Sequence, residues 1–138
     1  MLSLTRKADY ALVATVYLAR RRAAAEGPAS AREIAEQFDL PLALLMNVLK
    51  QLAGAGLLRS TRGVAGGYEL AVAAEAVSVL DVVEAVAEGE ADAPDAPVLG
   101  RLRGRLNGFL RQMTVAGLLR EADETGGETV VSLRTAGR

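Results

Sequence analysis

The residues best placed to do chemistry in this sequence are arginines and lysines, and the chemistry that they offer is the binding of anions. Arg59 and Arg62 stand just before the glycine-rich run GVAGG at 63–67, and Arg6 and Lys7 stand near the start. The sequence contains no cysteine and no histidine, so thiolate nucleophiles, zinc-finger ligands and the commonest general base are missing. We expect neither an enzyme nor a metal or cofactor site.

The elements on either side of the glycine run indicate a β-hairpin. Two strand-like pieces, 57–62 and 68–70, flank a flexible tip. On these residues alone, an ordinary surface hairpin and a DNA-binding wing are equally good interpretations. The net charge is only −1, but residues 1–70 carry nine Arg and Lys against six Asp and Glu, whereas 71–138 carry seven against eleven. The positive half holds the hairpin, which favours a wing, although a solvated surface would give the same asymmetry.

The segment before the hairpin predicts two helices joined by a tight turn, the pattern of a helix-turn-helix. Ser30 and Glu33 form a capping box that begins a short helix over about 31–38. Pro41 is expected at the first position of a second helix, where its missing N–H is not needed, and this helix runs to about Ala55.

The second helix has two contrasting faces. Its apolar positions recur at helical spacing and are predicted to be buried: Leu45, Val48, Leu49 and Leu52. The opposite face carries side chains that are small or weakly polar for an exposed surface, as expected of a recognition helix in the major groove. There Asn47 would pair with adenine, Lys50 would reach guanine or phosphate, and Met46 or Leu42 would touch a thymine methyl group. A plain amphipathic helix would show the same periodicity, so only the helix-turn-helix context favours DNA.

The N-terminal segment predicts a helix from Leu4 to about Ala25, capped by Thr5. Arg6 and Lys7 then lie in its first turn, where the helix dipole makes positive charge unfavourable. A phosphate bound at this helix end would remove the conflict. The alternative is a pair of solvated charges that costs little.

The C-terminal half predicts a helix over 79–88, opened by Ser78 and Asp81, and then an acidic linker, GEADAPDAP at 89–97. A further helix over 98–113 carries an apolar stripe at nearly heptad spacing: Leu99, Leu102, Leu106, Phe109, Leu110 and Met113. We expect this stripe to pack on the same helix of a second subunit, with docking onto its own domain as the alternative. Thr114 is predicted to cap a short helix through Leu119.

Taken together, these segments resemble the IscR-like, BadM-type family of bacterial winged helix-turn-helix transcription factors. The resemblance is carried by LTRKADYAL, EIAEQFDLPLALLMNVLKQLAGAGLL, RSTRGVAGGYEL, SVLDVVEAV and LRGRLNGFLRQMTVAGLL, in that order. It implies a mainly α fold with a small β hairpin: a winged helix-turn-helix domain at 1–88, a linker at 89–97, a dimerisation helix with a short following helix at 98–120, and a tail at 121–138 that forms a short strand or stays mobile.

The resemblance also implies a homodimer that places one recognition helix per subunit in the major groove and each wing near the minor groove. The family's N-terminal helix touches backbone phosphates, which would explain the cations in the first turn. On these grounds, the candidate DNA contacts are Arg6, Lys7, Tyr10, Leu42, Ala43, Met46, Asn47, Lys50, Arg59, Arg62 and Gly63.

The chain also departs from the family pattern. Many members hold a [2Fe–2S] cluster with three cysteines before the dimerisation helix, and GEADAPDAP stands there in this chain. Cluster sensing is therefore not carried over, and a regulatory protein or a small ligand would supply the signal. Leu44 stands where the family often has an aromatic residue, and Leu42 is unusually apolar, so the family's target sequences do not transfer.

We therefore predict a sequence-specific, DNA-binding transcriptional regulator that acts as a clusterless homodimer on double-stranded DNA. A cytoplasmic protein without a membrane partner is expected, because no apolar run reaches about 18 residues and no signal peptide is recognisable. The alternative is a winged-helix protein-interaction module that has lost DNA binding. The near-neutral net charge and the apolar helix face favour the module, and the cations retained at the candidate contacts oppose it.

Overall fold

The structure is a computed structural model, and it describes residues 5–64, 66–87 and 96–124. Its elements are α1 (Arg6–Ala23), α2 (Ala31–Phe38), α3 (Leu42–Gly54), β1 (Leu58–Thr61), β2 (Gly67–Leu70), a single 3-10 turn (Ala74–Ala76), α4 (Val79–Val86), α5 (Pro97–Gln112) and α6 (Val115–Glu124). Most of the predicted linker and the end of the predicted tail, at 88–95 and 125–138, lie outside the described residues.

Local capping chemistry sets the helix starts. Ser30 and Glu33 form a complete capping box at α2, and Ser78 forms another with Asp81 at α4, as the sequence predicts. The Thr5 hydroxyl accepts a hydrogen bond from the backbone N–H of Ala8 at 3.2 Å. At α3 the prediction is one residue off, because Pro41 is the N-cap and the helix begins at Leu42.

The core surrounds α1, which packs against α3, α4, α6 and β2. The predicted inner face of α3 is confirmed, since Leu45, Val48, Leu49 and Leu52 are each 0% exposed. Helix α6 continues to Glu124, beyond the predicted end at Leu119. Its Ala122 is buried and its Asp123 is paired with Arg20 of α1, so tertiary contacts extend the helix.

The hairpin is antiparallel, and its register pairs Leu58 with Leu70 on the core side and Arg59 with Glu69 on the outer side. A third piece of chain joins it. Ala29, in the loop before α2, exchanges two backbone hydrogen bonds with Tyr68, at 3.0 and 2.7 Å. The hairpin is therefore fixed to the helix-turn-helix through the free edge of β2.

A second backbone bridge ties the C-terminal helices to the rest. The N–H of Val79 donates to the carbonyl oxygen of Met113 at 2.7 Å, and the N–H of Val115 donates to that of Val77 at 2.8 Å. Thr114 caps α6 by accepting from the N–H of Gly117 at 3.0 Å. The start of α4 and the α5–α6 junction are thus held together. The complete set of elements confirms the predicted mainly helical fold with a small hairpin.

Candidate nucleic-acid interface

Helix α3 presents the polar half of the candidate interface. Ala43, Met46, Asn47 and Lys50 are exposed, and the Met46 side chain is 42% exposed although it is apolar. Leu42 differs from these four, because it is half-buried and packs against the core. The face opposite the buried leucines therefore offers an amide, an ammonium group and a thioether to a partner.

The hairpin places its two arginines in different environments. Arg62 is exposed at the start of the tip and has no acidic partner among the described residues. Gly63 beside it has φ +117 and accepts a hydrogen bond from the N–H of Gly66 at 3.0 Å, which closes the turn. Arg59, in contrast, forms an ion pair with Glu69 at 3.0 Å.

The start of α1 places Arg6 on the surface, with Lys7 and Tyr10 half-buried beside it. Asp9 lies in the same first turn, and its burial raises the pKa of the carboxyl above its ordinary value of 3.8. Because α3 contacts both α1 and β1, the three candidate regions belong to one packed unit.

The Asp9→Asn variant is expected to unfold at a slightly higher temperature than the unchanged protein at pH 7, because its folded state carries no partly desolvated carboxylate. Since the pKa of Asp9 is raised in the folded state, its favourable contribution is present below pH 3.8 and is lost as pH rises through the folded-state pKa. The difference between the two proteins should therefore shrink as pH is lowered towards 4 in thermal melts. A difference that stays constant with pH would contradict the assignment.

The sequence alone does not predict the contacts made by three consecutive arginines at the end of α1, Arg20 to Arg22. The Arg21 guanidinium donates to the carbonyl oxygens of Glu26, Gly27 and Pro28 at 3.0 to 3.1 Å and lies over the Tyr17 ring. It therefore holds the loop that carries Ala29. The available signal was a cationic run directly before a Gly-Pro break.

The other two arginines of this run hold distant elements. Arg22 donates to the carbonyl oxygen of Val72 at 2.8 Å, just beyond β2. Arg20 pairs with Asp123 of α6 at 2.8 Å. The end of α1 thus contacts the hairpin on one side and the C-terminal helix on the other.

Helix α5 carries apolar side chains that this chain does not cover. It packs on α4, yet Val98, Leu102, Leu106 and Phe109 are 70%, 43%, 36% and 62% exposed. Val98 lies outside the predicted stripe, and three of the six residues of that stripe are half-buried: Leu99, Leu110 and Met113. Nothing described in the chain lies within 4 Å of a Cβ built at Gly100, Gly104 or Gly108, so the glycines meet no close neighbour here.

Two further properties bear on function. None of the described helices is both long enough and apolar enough to cross a membrane. Within the same residues, no group of three or more acidic, histidine or cysteine side chains is arranged to hold a metal ion.

The chain is similar to known transcriptional regulators. The family model Rrf2, described as an iron-dependent transcriptional regulator, matches residues 4–97. The HTH-type transcriptional regulator IscR of Cereibacter sphaeroides is 37% identical over 87 residues, which are 63% of this chain and 56% of that protein. The chain therefore spans little more than half the length of this relative.

Solved structures extend the similarity over the C-terminal helices. T. potens IscR superposes with a TM-score of 0.77 and 30% identity, over 90% of each chain. CymR (YrzC), the global cysteine regulator of B. subtilis, superposes with a TM-score of 0.72 and 28% identity, over 88% of this chain and 98% of that one. The predicted winged-helix, IscR-like assignment is confirmed, and the chain belongs to the Rrf2 family of transcriptional regulators.

Proposed function

We propose that this protein is a sequence-specific, DNA-binding transcriptional regulator that acts as a homodimer without an iron–sulfur cluster. The observation that carries the proposal is the exposed polar face of α3 next to a hairpin whose tip presents Arg62, which has no acidic partner among the described residues. An exposed helix of this composition suits the edges of bases in the major groove, and a cationic tip suits the phosphate backbone.

Each part of the surface has its own role in the proposed complex. Asn47 pairs with adenine, Lys50 reaches guanine or phosphate, and Met46 touches a thymine methyl group. The wing approaches the minor groove through Arg62 and Gly63. Arg6 and Lys7 contact a backbone phosphate at the positive end of the α1 dipole, with Tyr10 beside them. The negative charge of that phosphate offsets the unfavourable interaction of the two cations with the dipole.

The dimer is proposed to form through α5. Four apolar side chains between positions 98 and 109 stay at least 36% exposed in the single chain, although the spacing of the stripe is that of a helix that buries one face. The same helix of a second copy would cover them across a two-fold axis. Two recognition helices would then read two half-sites of one operator.

An iron–sulfur cluster does not fit this chain, although the matched family is described as iron-dependent. Such clusters are held by cysteine thiolates, in some proteins together with histidine, and the sequence has neither residue. Carboxylates alone are poor ligands for a cluster. We therefore propose that a regulatory protein or a small ligand provides the signal.

Binding to labelled duplexes from the protein's own operon region, titrated with salt, tests the proposed function. Affinity should fall steeply as salt rises, because each neutralised phosphate releases counterions. Arg62→Ala should weaken binding by about tenfold and flatten the dependence of log K on log salt by about one unit, since one phosphate contact is lost. Sedimentation should show the same oligomeric state for both proteins.

Two outcomes would reject the proposal. Equal affinity for the operon fragments and for random duplexes would remove sequence specificity. Absence of binding to any duplex, together with no effect of Arg62→Ala, would favour the protein-interaction module that the near-neutral charge of −1 also allows.

A further inference from the structure

The outer face of the hairpin holds a cation and an anion in direct cross-strand register. Arg59 of β1 stands opposite Glu69 of β2, and its Nε and Nη2 atoms both donate to Oε1 of Glu69, at 3.2 and 3.0 Å. The two side chains are 60% and 32% exposed. The guanidinium group of Arg59 is therefore paired with a carboxylate, whereas that of Arg62, three residues later, has no acidic partner in the part of the chain that the structure describes.

The pair lines a cleft of about 340 Å³ between the end of α1 and the hairpin. Three charged side chains line this cleft: Arg22, Arg59 and Glu69. Arg22 donates to the carbonyl oxygens of Val72 and Leu70, which carry no formal charge. Among the described residues that line the cleft, Glu69 is the only acidic one.

The ion pair is expected to contribute little to the free energy of folding. Exposed ion pairs contribute at most about 1 kcal/mol, because water and salt screen them and two long side chains lose their freedom. On a surface that meets a polyanion, the carboxylate has a larger effect. It competes with phosphate oxygens for the same guanidinium donors, and it adds a negative charge to the wing.

We infer that Glu69 limits the contact of the wing with the DNA backbone by holding Arg59, and that Arg59 binds a phosphate only when this pair opens. This inference rests on the proposed function. The ligand is a phosphate oxygen of duplex DNA, so the effect is independent of base sequence. Under this arrangement the positive charge of Arg62 is always available to a phosphate, whereas that of Arg59 becomes available only when its ion pair with Glu69 opens.

Glu69→Gln tests the inference, because glutamine keeps the size of the side chain and removes its charge. The variant should bind both operon and random duplexes about three- to tenfold more tightly, with a slope of log K against log salt that is steeper by about one unit. Arg59→Gln alone should bind neither duplex more tightly than the unchanged protein, because it removes a guanidinium group and frees none. Thermal melts of both variants should stay close to that of the unchanged protein.

The double variant Arg59→Gln/Glu69→Gln separates a specific contact from a general change of charge. If Glu69 acts by holding Arg59, the gain from Glu69→Gln should disappear in the Arg59→Gln background. Glu36→Gln, an exposed acid of α2 without an ion pair among the described residues, is the matched control for charge and should give less than a twofold gain.

The failures are distinguishable. An equal gain in both backgrounds, or a gain from Glu36→Gln as large as that from Glu69→Gln, would overturn the inference and leave the proposed function standing. So would DNA binding that Glu69→Gln does not change. If the unchanged protein binds no duplex at all, the proposed function fails and the inference fails with it.

Discussion

Phe109→Glu is expected to convert the proposed homodimer into a monomer and to weaken binding to a two-half-site operator by about 100-fold or more. Phe109 is the most exposed of the six residues of the predicted α5 stripe, at 62% in the single chain. Two-fold symmetry would bring the substitution into the interface twice, and each copy would bury a carboxylate without a partner. The second half-site would then have to be bound by a separate protein molecule.

The monomer should remain folded, because Phe109 is 62% exposed and does not belong to the buried core of the described residues. Circular dichroism should therefore show unchanged helix content, while sedimentation or light scattering shows half the mass. Asn107→Glu is the matched control, since Asn107 is exposed on the same helix but points about 160° away from Phe109. A Phe109→Glu protein that stays dimeric, or an Asn107→Glu protein that dissociates to the same extent, would place the subunit contact elsewhere.

The parts of this fold that the sequence predicts are those encoded by residues close together in the chain. A capping box depends only on two residue types three positions apart, so it can be predicted directly from Ser30 with Glu33 and from Ser78 with Asp81. The buried face of α3 follows from helical spacing alone. The exposed stripe of α5 is also visible, because an amphipathic pattern beyond an acidic segment has no obvious cover in its own chain.

The parts that the sequence does not predict are made by distant residues with little side-chain signal. Ala29 and Tyr68 are 39 positions apart and are bridged by two hydrogen bonds between backbone atoms, so no side-chain type marks the bridge. The same holds for the bridge between Ser78 and Thr114. Arg59 was predicted as a DNA contact from its charge, and its partner Glu69 becomes evident only when the hairpin register is known.

Gly67→Ala is expected to detach the hairpin from the helix-turn-helix and to lower stability by about 2 to 3 kcal/mol. Gly67 has φ +152, which a side chain makes unfavourable, and a Cβ there would overlap the carbonyl group of Ala29 and lie 2.8 Å from the backbone nitrogen of Ser30. These are backbone atoms of the strand-like loop that pairs with Tyr68, so they cannot move aside without breaking both hydrogen bonds of the bridge.

Gly63→Ala isolates the clash from backbone strain. Gly63 lies in the same hairpin with φ +117, but a Cβ there meets no described atom within 4 Å. Urea unfolding should therefore show a larger loss for Gly67→Ala, and hydrogen exchange should show faster exchange of the Tyr68 and Ala29 amides in that variant alone. Equal losses in the two variants would mean that strain, rather than contact with Ala29, makes glycine necessary. Faster exchange confined to these two amides would show that the pairing of the β2 edge with Ala29 holds the wing in place.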